Sequence, residues 1–157
     1  MMAVEQTLIL LKPDCVQRGL VGKVVGRLEA RGLQLIGLKM IQLDAKKCEE
    51  HYAHLVGKPF YPGLVSFMTS SPVIAMTVSG VDAVNVVRAM CGPTNARTAL
   101  PGTIRGDFSL STQYNIIHAS DSLDTAKKEV ARFFKKEELH LWERKLDALT
   151  SAADEKK

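Results

Sequence analysis

The sequence predicts one α/β (α+β) domain built around four strands. Three observations support this. Short apolar runs of strand length alternate with stripes of helical period. Apolar residues make up 46% of the 157 residues, enough for a substantial core, beside 24% charged residues. No internal repeat or flexible linker divides the chain, so residues 1–157 read as a single domain with a tail from about 136.

The elements follow in order. "TLILLK" (Thr7–Lys12) is a continuous branched run, suited to a strand covered on both faces, with Lys12 closing it. "PDCVQRG" reads as a turn. "LVGKVVGRLEARG" has apolar residues at 20, 21, 24, 25 and 28, a helical stripe stopped by Gly32. "LQLIGLKMIQL" changes alternation phase near Gly37, which predicts a strand with a bulge. Asp44 can cap a helix with the stripe Ala45, Cys48, Tyr52 and Leu55, ending at Gly57. A short helix around Gly63 to Thr69 follows, then a third strand, "VIAMTVSG". Asp82 opens a helix through Val84, Val87, Met90 and Cys91, stopped by Gly92. Pro93 to Gln113 reads as a long irregular loop, and a loop of that length in a compact domain is more often functional than incidental. "YNIIH" is the fourth strand. Ser122 starts a helix with Leu123, Ala126, Val130, Phe133 and Phe134 on one side, and a charged helix runs from Glu137 to about Leu149. This order matches a ferredoxin-like βαββαβ sandwich, a four-stranded antiparallel sheet covered by helices, with an extra helical pair between strands two and three.

Composition excludes several classes. No apolar run is long enough to span a bilayer, and the start "MMAVEQT" lacks the features of a secretory signal. Cys15, Cys48 and Cys91 show neither metal-ligand spacing nor a disulfide framework. A cytoplasmic protein without a membrane partner is expected. The net charge of +4 arises partly from an alternating-sign C-terminal third, which ordinarily marks a solvated face. More telling is Ala83 to Gly106, which holds Arg88, Arg97 and Arg105 and no acid. A local cationic pocket of this kind suits an anionic ligand.

The candidate chemical groups gather around "NIIHASDS" (Asn115–Ser122). A lone histidine after an apolar run is more often structural than reactive. His118, however, is followed by Ser120, Asp121 and Ser122, where a strand passes into a helix and free N–H groups can attract an anion. Glu129, two turns along that helix, can reach back to the strand end. A carboxylate bonded to one ring nitrogen leaves the other as a nucleophile. Arg88 and Arg105 could be solvated, but Arg105 lies on the glycine-flanked loop "PGTIRGDF", and arginine forks match phosphate oxygens. Thr94 adds a hydroxyl. Lys12 could snorkel or enter the same cleft. Tyr52 reads first as a core ring, and Phe60 could pack locally or offer a flat face to a nucleobase. The common nucleotide loops GxxxxGK[ST] and GxGxxG are absent, as are GxSxG and HExxH.

"NIIHASDS", "PGTIRGDF", "KPD" and "HY" together resemble the nucleoside diphosphate kinase family from about Gln6 to Phe134. The resemblance implies that His118 accepts the γ-phosphoryl group of ATP on Nδ1 and passes it to a nucleoside diphosphate such as GDP. It implies that Glu129 orients the ring with Ser120, and that Lys12, Tyr52 and Asn115 contact the sugar hydroxyl, the phosphates or the phosphohistidine. Arg88, Thr94 and Arg105 would hold phosphates with Mg²⁺, with Asp121 reaching the metal through water. Phe60 and Leu64 would line the base slot with Thr112, which replaces a usual apolar residue. A homo-oligomer, commonly a hexamer, is implied, with nucleic acid at most a secondary partner. Ala119, Ala96 and His54 depart from the usual pattern, and the tail "LWERKLDALTSAADEKK" does not match the family's short C-terminal segment. An RNA-binding module of the same topology is disfavoured because the strands lack its aromatic platform. An inactive relative is disfavoured by the intact His118, Glu129, Arg88 and Arg105 set.

Overall fold

The computed structural model describes residues 4–145 and 152. Four strands, β1 (Val4–Leu11), β2 (Gln34–Ile41), β3 (Val73–Val81) and β4 (Ile117–Ala119), form one sheet in the order β2-β3-β1-β4. Every pairing is antiparallel, as expected from the sequence. Helices α1 (Pro13–Gln17), α2 (Val21–Ala30), α3 (Ala45–His51), α4 (Tyr61–Met68), α5 (Ala83–Cys91), α6 (Ile104–Phe108) and α7 (Leu123–Phe133) complete the fold.

Strand β1 is the axis, and its period-2 side chains divide the core. Ile9 and Leu11 pack with Met76 and Val78 under α2 and α5. Leu8 and Leu10 pack with Val73 and Ala75 under α3, α4 and α7. Both faces are covered, which is why β1 is a continuous apolar run. In β2 the register shifts between Leu35 and Gly37, the bulge that the phase change announced.

Several boundaries differ from the sequence reading. The first strand ends at Leu11, and Lys12 is the N-cap of α1. "PDCVQRG" is not a simple turn, because Pro13 at the first helical position starts a helical turn whose Cys15 N–H donates to the Lys12 carbonyl. Tyr52 lies just beyond α3, and the expected single helix to Gly57 breaks there into a 3₁₀ turn, Ala53–Leu55. The next helix begins at Tyr61 with Pro62 in its first turn, earlier than expected. The Pro93–Gln113 loop contains a 3₁₀ turn, Ala96–Thr98, and α6, capped by the Thr103 hydroxyl. The fourth strand is Ile117–Ala119 rather than Tyr114–His118, because Ile116 has φ +72° and cannot continue a strand. Leu123, placed in the apolar stripe of α7, is half exposed, whereas Glu129 is buried in it.

The expected C-terminal helix is also corrected as far as Lys145. A 3₁₀ turn, Lys136–Glu138, is followed by non-helical chain, and residues 146–149 lie outside the described residues. Leu139 approaches Gly37, and the His140 N–H donates to the Ile36 carbonyl at 2.7 Å. The segment therefore satisfies part of the β2 edge instead of coiling.

Candidate active site

Register decides where His118 points. His118 opposes Leu10 across the β1–β4 pair, and opposed residues share a face. Its ring therefore joins the layer of α3 and α7, while neighbouring Ile117 faces the other core.

Helix α7 starts at Ser122, whose hydroxyl accepts from the Thr125 N–H. Two turns later Glu129 is buried, with both carboxylate oxygens 3.1 Å from His118 Nε2. The buried Ser120 hydroxyl donates to Glu129 Oε2 at 2.6 Å. Burial opposes ionisation of Glu129, but the hydrogen bond and charge of His118 and the Ser120 bond outweigh it and hold the carboxyl below its ordinary range. An ionised carboxylate only accepts, so the proton between the two residues belongs to His118 Nε2. The neutral ring then carries its lone pair on Nδ1. The His118 side chain is 21% exposed, so this edge of the sheet is accessible.

A second group centres on Asn115. Its side chain accepts from Lys12 Nζ at 2.6 Å and donates to the Thr94 and Thr112 carbonyls at 2.9 and 2.8 Å. Burial, then the charge of Arg105, lowers the Lys12 ammonium to about 8. Arg105 donates to the carbonyls of Gly92 at 2.7 Å, Ile117 at 2.6 Å and Asn115 at 3.4 Å. Three of its five N–H donors are thus committed to backbone, and two remain. Arg105 therefore also ties the 92 loop to β4. Arg88 is exposed at the end of α5, and its charge reaches Asp121, whose carboxyl is lowered first by the Thr125 hydroxyl bond.

The base-slot candidates are more scattered. Phe60 is 53% exposed before α4, and Leu64 is buried one turn along it. Helix α4 lies against the 111–114 loop through an edge-to-face contact of Phe67 with Tyr114. Thr112 is exposed, with Oγ1 3.4 Å from Asn95 Oδ1. Thr94 is exposed, and its carbonyl, not its hydroxyl, meets Asn115. Tyr52 is buried, its ring centroid 6.1 Å from that of His118.

Sequence reasoning assigned no role to His51. It is buried, its ring centroid is 4.6 Å from His118, and its Nδ1 lies 3.6 Å from Glu129 Oε1. Burial, then the neighbouring His118, pushes its imidazole down to about 3, so it stays neutral beside a carboxylate. The "HY" pair contained this residue, but only tertiary packing of α3 on α7 shows its neighbours. Among the described residues, His51, His118 and Glu129 also form the cluster of three potential metal ligands. That imidazole-rich set does not suit Mg²⁺, which prefers carboxylate, phosphate and water oxygens.

Comparison with known proteins identifies a family and its fold. The family model described as nucleoside diphosphate kinase matches residues 5–139. A nucleoside diphosphate kinase of Staphylothermus marinus is 50% identical over 141 residues, covering 90% of this chain and 100% of the relative. The structure of a halophilic nucleoside diphosphate kinase from Halobacterium salinarum, in complex with CDP, superposes with a TM-score of 0.92 at 46% identity, covering 94% of this chain and 98% of that one. A transition-state mimic of the enzyme from Borrelia burgdorferi, with vanadate and ADP, gives 0.88 at 36% identity, covering 93% and 96%.

Proposed function

This chain belongs to the nucleoside diphosphate kinase family and is a phosphotransferase, and we propose that His118 carries the phosphoryl group between two nucleotides. The observation that carries the assignment is the contact of His118 Nε2 with both oxygens of Glu129. In the first half-reaction Nδ1 attacks the γ-phosphorus of a nucleoside triphosphate such as ATP. The bond from that phosphorus to the bridging oxygen breaks, and the nucleoside diphosphate leaves. The ring gains positive character, which the Glu129 carboxylate stabilises through the retained Nε2–H. In the second half-reaction a terminal oxygen of another diphosphate, such as GDP, displaces His118, which returns to neutral. Neither half-reaction needs a separate general base, which agrees with the predominance of positioning and charge neutralisation in phosphoryl transfer.

The remaining roles follow placement. Lys12, Asn115, Arg88, Thr94 and the two uncommitted N–H groups of Arg105 would bind phosphates or sugar. Tyr52 would support the His118 edge. Phe60, Leu64 and Thr112 would line the base slot, and stacking without base-edge hydrogen bonds would admit any nucleobase. Mg²⁺ would supply charge neutralisation when bound with the nucleotide. Asp121 is an exposed hard-oxygen donor beside the charge of Arg88, which fits contact through water while the phosphates hold the ion. An oligomer, a hexamer by family resemblance, fits the exposed apolar side chains Leu38 and Met40 of β2. The three free cysteines fit a cytoplasmic setting, where the enzyme would maintain nucleoside and deoxynucleoside triphosphate pools. We take residues 1–157 as one domain whose tail diverges beyond about 136.

Initial-rate kinetics test the two-stage scheme. Double-reciprocal plots for ATP at several GDP concentrations are expected to be parallel, as a phosphoenzyme requires. Lines that intersect would mean direct transfer between two nucleotides bound together, and would contradict the scheme.

A further inference from the structure

We propose that Asp14 is a positioning residue for phosphoryl transfer, holding Ile116 in the left-handed turn that fixes the segment between Asn115 and His118. The inference rests on the reading that His118 carries the phosphoryl group. Ile116 is fully buried and has φ +72°, where a β-branched residue is strained. The Ile117 N–H donates to the Asn115 carbonyl at 2.8 Å across it, closing a γ-turn of the rare positive-φ kind.

Both backbone groups of Ile116 are tied to the "KPD" segment. Its N–H donates to Asp14 Oδ2 at 3.0 Å, and its carbonyl accepts from the Lys12 N–H at 2.8 Å. The groups on either side of the turn form the phosphate end of the site. The Asn115 side chain meets Lys12, the Asn115 and Ile117 carbonyls accept from Arg105, and His118 follows immediately. Relaxation of Ile116 toward an ordinary strand conformation would move all of these together.

The setting of Asp14 suits placement better than stability. Its Oδ1 is buried and has no hydrogen-bond partner among the described residues. A carboxylate with one oxygen dry and unbonded is unfavourable for folding alone. Its other oxygen is spent on the amide of the strained Ile116.

The test is single-turnover labelling of His118 by ATP and Mg²⁺, with thermal unfolding measured in parallel. The proteins are wild type, Asp14→Ala, Asp14→Asn, and Asp14→Ala combined with Ile116→Gly. Asp14→Ala is expected to label about tenfold more slowly or worse while still folded. Asp14→Asn keeps an acceptor oxygen and should stay within about threefold of wild type. Glycine adopts positive φ without strain, so the double variant should recover most of the rate lost by Asp14→Ala. Full activity in Asp14→Ala, or no recovery in a folded double variant, overturns the proposal. If Asp14→Ala or the double variant fails to fold, Asp14→Asn decides, because a loss there of about tenfold or more contradicts an acceptor role. If wild type itself takes no label, the reading of His118 fails, and this proposal falls with its premise.

Discussion

His118 and Glu129 were legible as a pair because helical geometry converts a sequence spacing into a reach. Ser122 caps α7 and Glu129 sits two turns along the same side, so one strand end and one helix face suffice. Charge-assisted hydrogen bonds contribute about 1.5–3 kcal/mol, so Glu129→Gln is expected to slow phosphorylation by roughly tenfold to a hundredfold in stopped-flow assays. Ser120→Ala, which removes a second donor to that carboxylate and leaves the His118 contact in place, should cost about fivefold. Equal rates for Glu129→Gln and wild type would dismiss the orienting role. Lys12 gives a pH signature with two signs. Its ammonium titrates at about 8 in the fold against an ordinary 10.5, so between those values the unfolded chain binds more protons. Stability should therefore rise with pH across that interval. Over the same rise through about 8, the cation offered to phosphate is lost, and kcat/KM for the nucleotide should fall. A kcat/KM flat up to pH 10 would contradict this role. His51 escaped sequence reading because it stands beside the stripe of Cys48 and Tyr52, with no motif of its own to mark it. Its proximity to Glu129 depends on how α3 and α7 pack.

At the scale of elements, the periodic segments were readable and the irregular ones were not. The helices α2, α5 and α7 and the strands β1 to β3 follow from stripes and alternation. Helix α6 did not, because its five residues are set by a cap and by close backbone approach rather than by periodicity. The short β4 was misplaced because nothing in "YNIIH" announces that Ile116 will leave strand geometry. The bond that holds it there comes from Asp14, 102 residues away. Glycines separate these cases experimentally. A Cβ at Gly106 in α6 would collide with the Leu100 backbone, which cannot yield as a flexible side chain would. Gly106→Ala should destabilise by about 1–3 kcal/mol or more and disturb Arg105 beside it. Gly22 in α2 has open space, and Gly22→Ala should stabilise by about 0.5–1 kcal/mol through lower chain entropy. Chemical denaturation compares the two, and a neutral Gly106→Ala would refute the packing account of α6.

At the scale of the whole molecule, catalysis and assembly should prove separable. The family match ends at residue 139, and the following segment borders β2 through His140 to Ile36 and Trp142 to Gln34, and the turn before it through Arg144 to Gly32. A chain ended after Leu139 should lose about 1–3 kcal/mol of stability with those partly exposed bonds while labelling His118 at the normal rate. Light scattering on the full chain should give six times the chain mass, and a monomer would refute the proposed hexamer. None of these outcomes bears on the chemistry as directly as the phosphoenzyme does. Wild type should be incubated with γ-labelled ATP and Mg²⁺, freed of nucleotide, digested, and in parallel chased with GDP. The account predicts acid-labile label on the peptide containing His118, its quantitative passage to GDP, and none on His118→Ala. An unlabelled wild type, or normal transfer by His118→Ala, would contradict it.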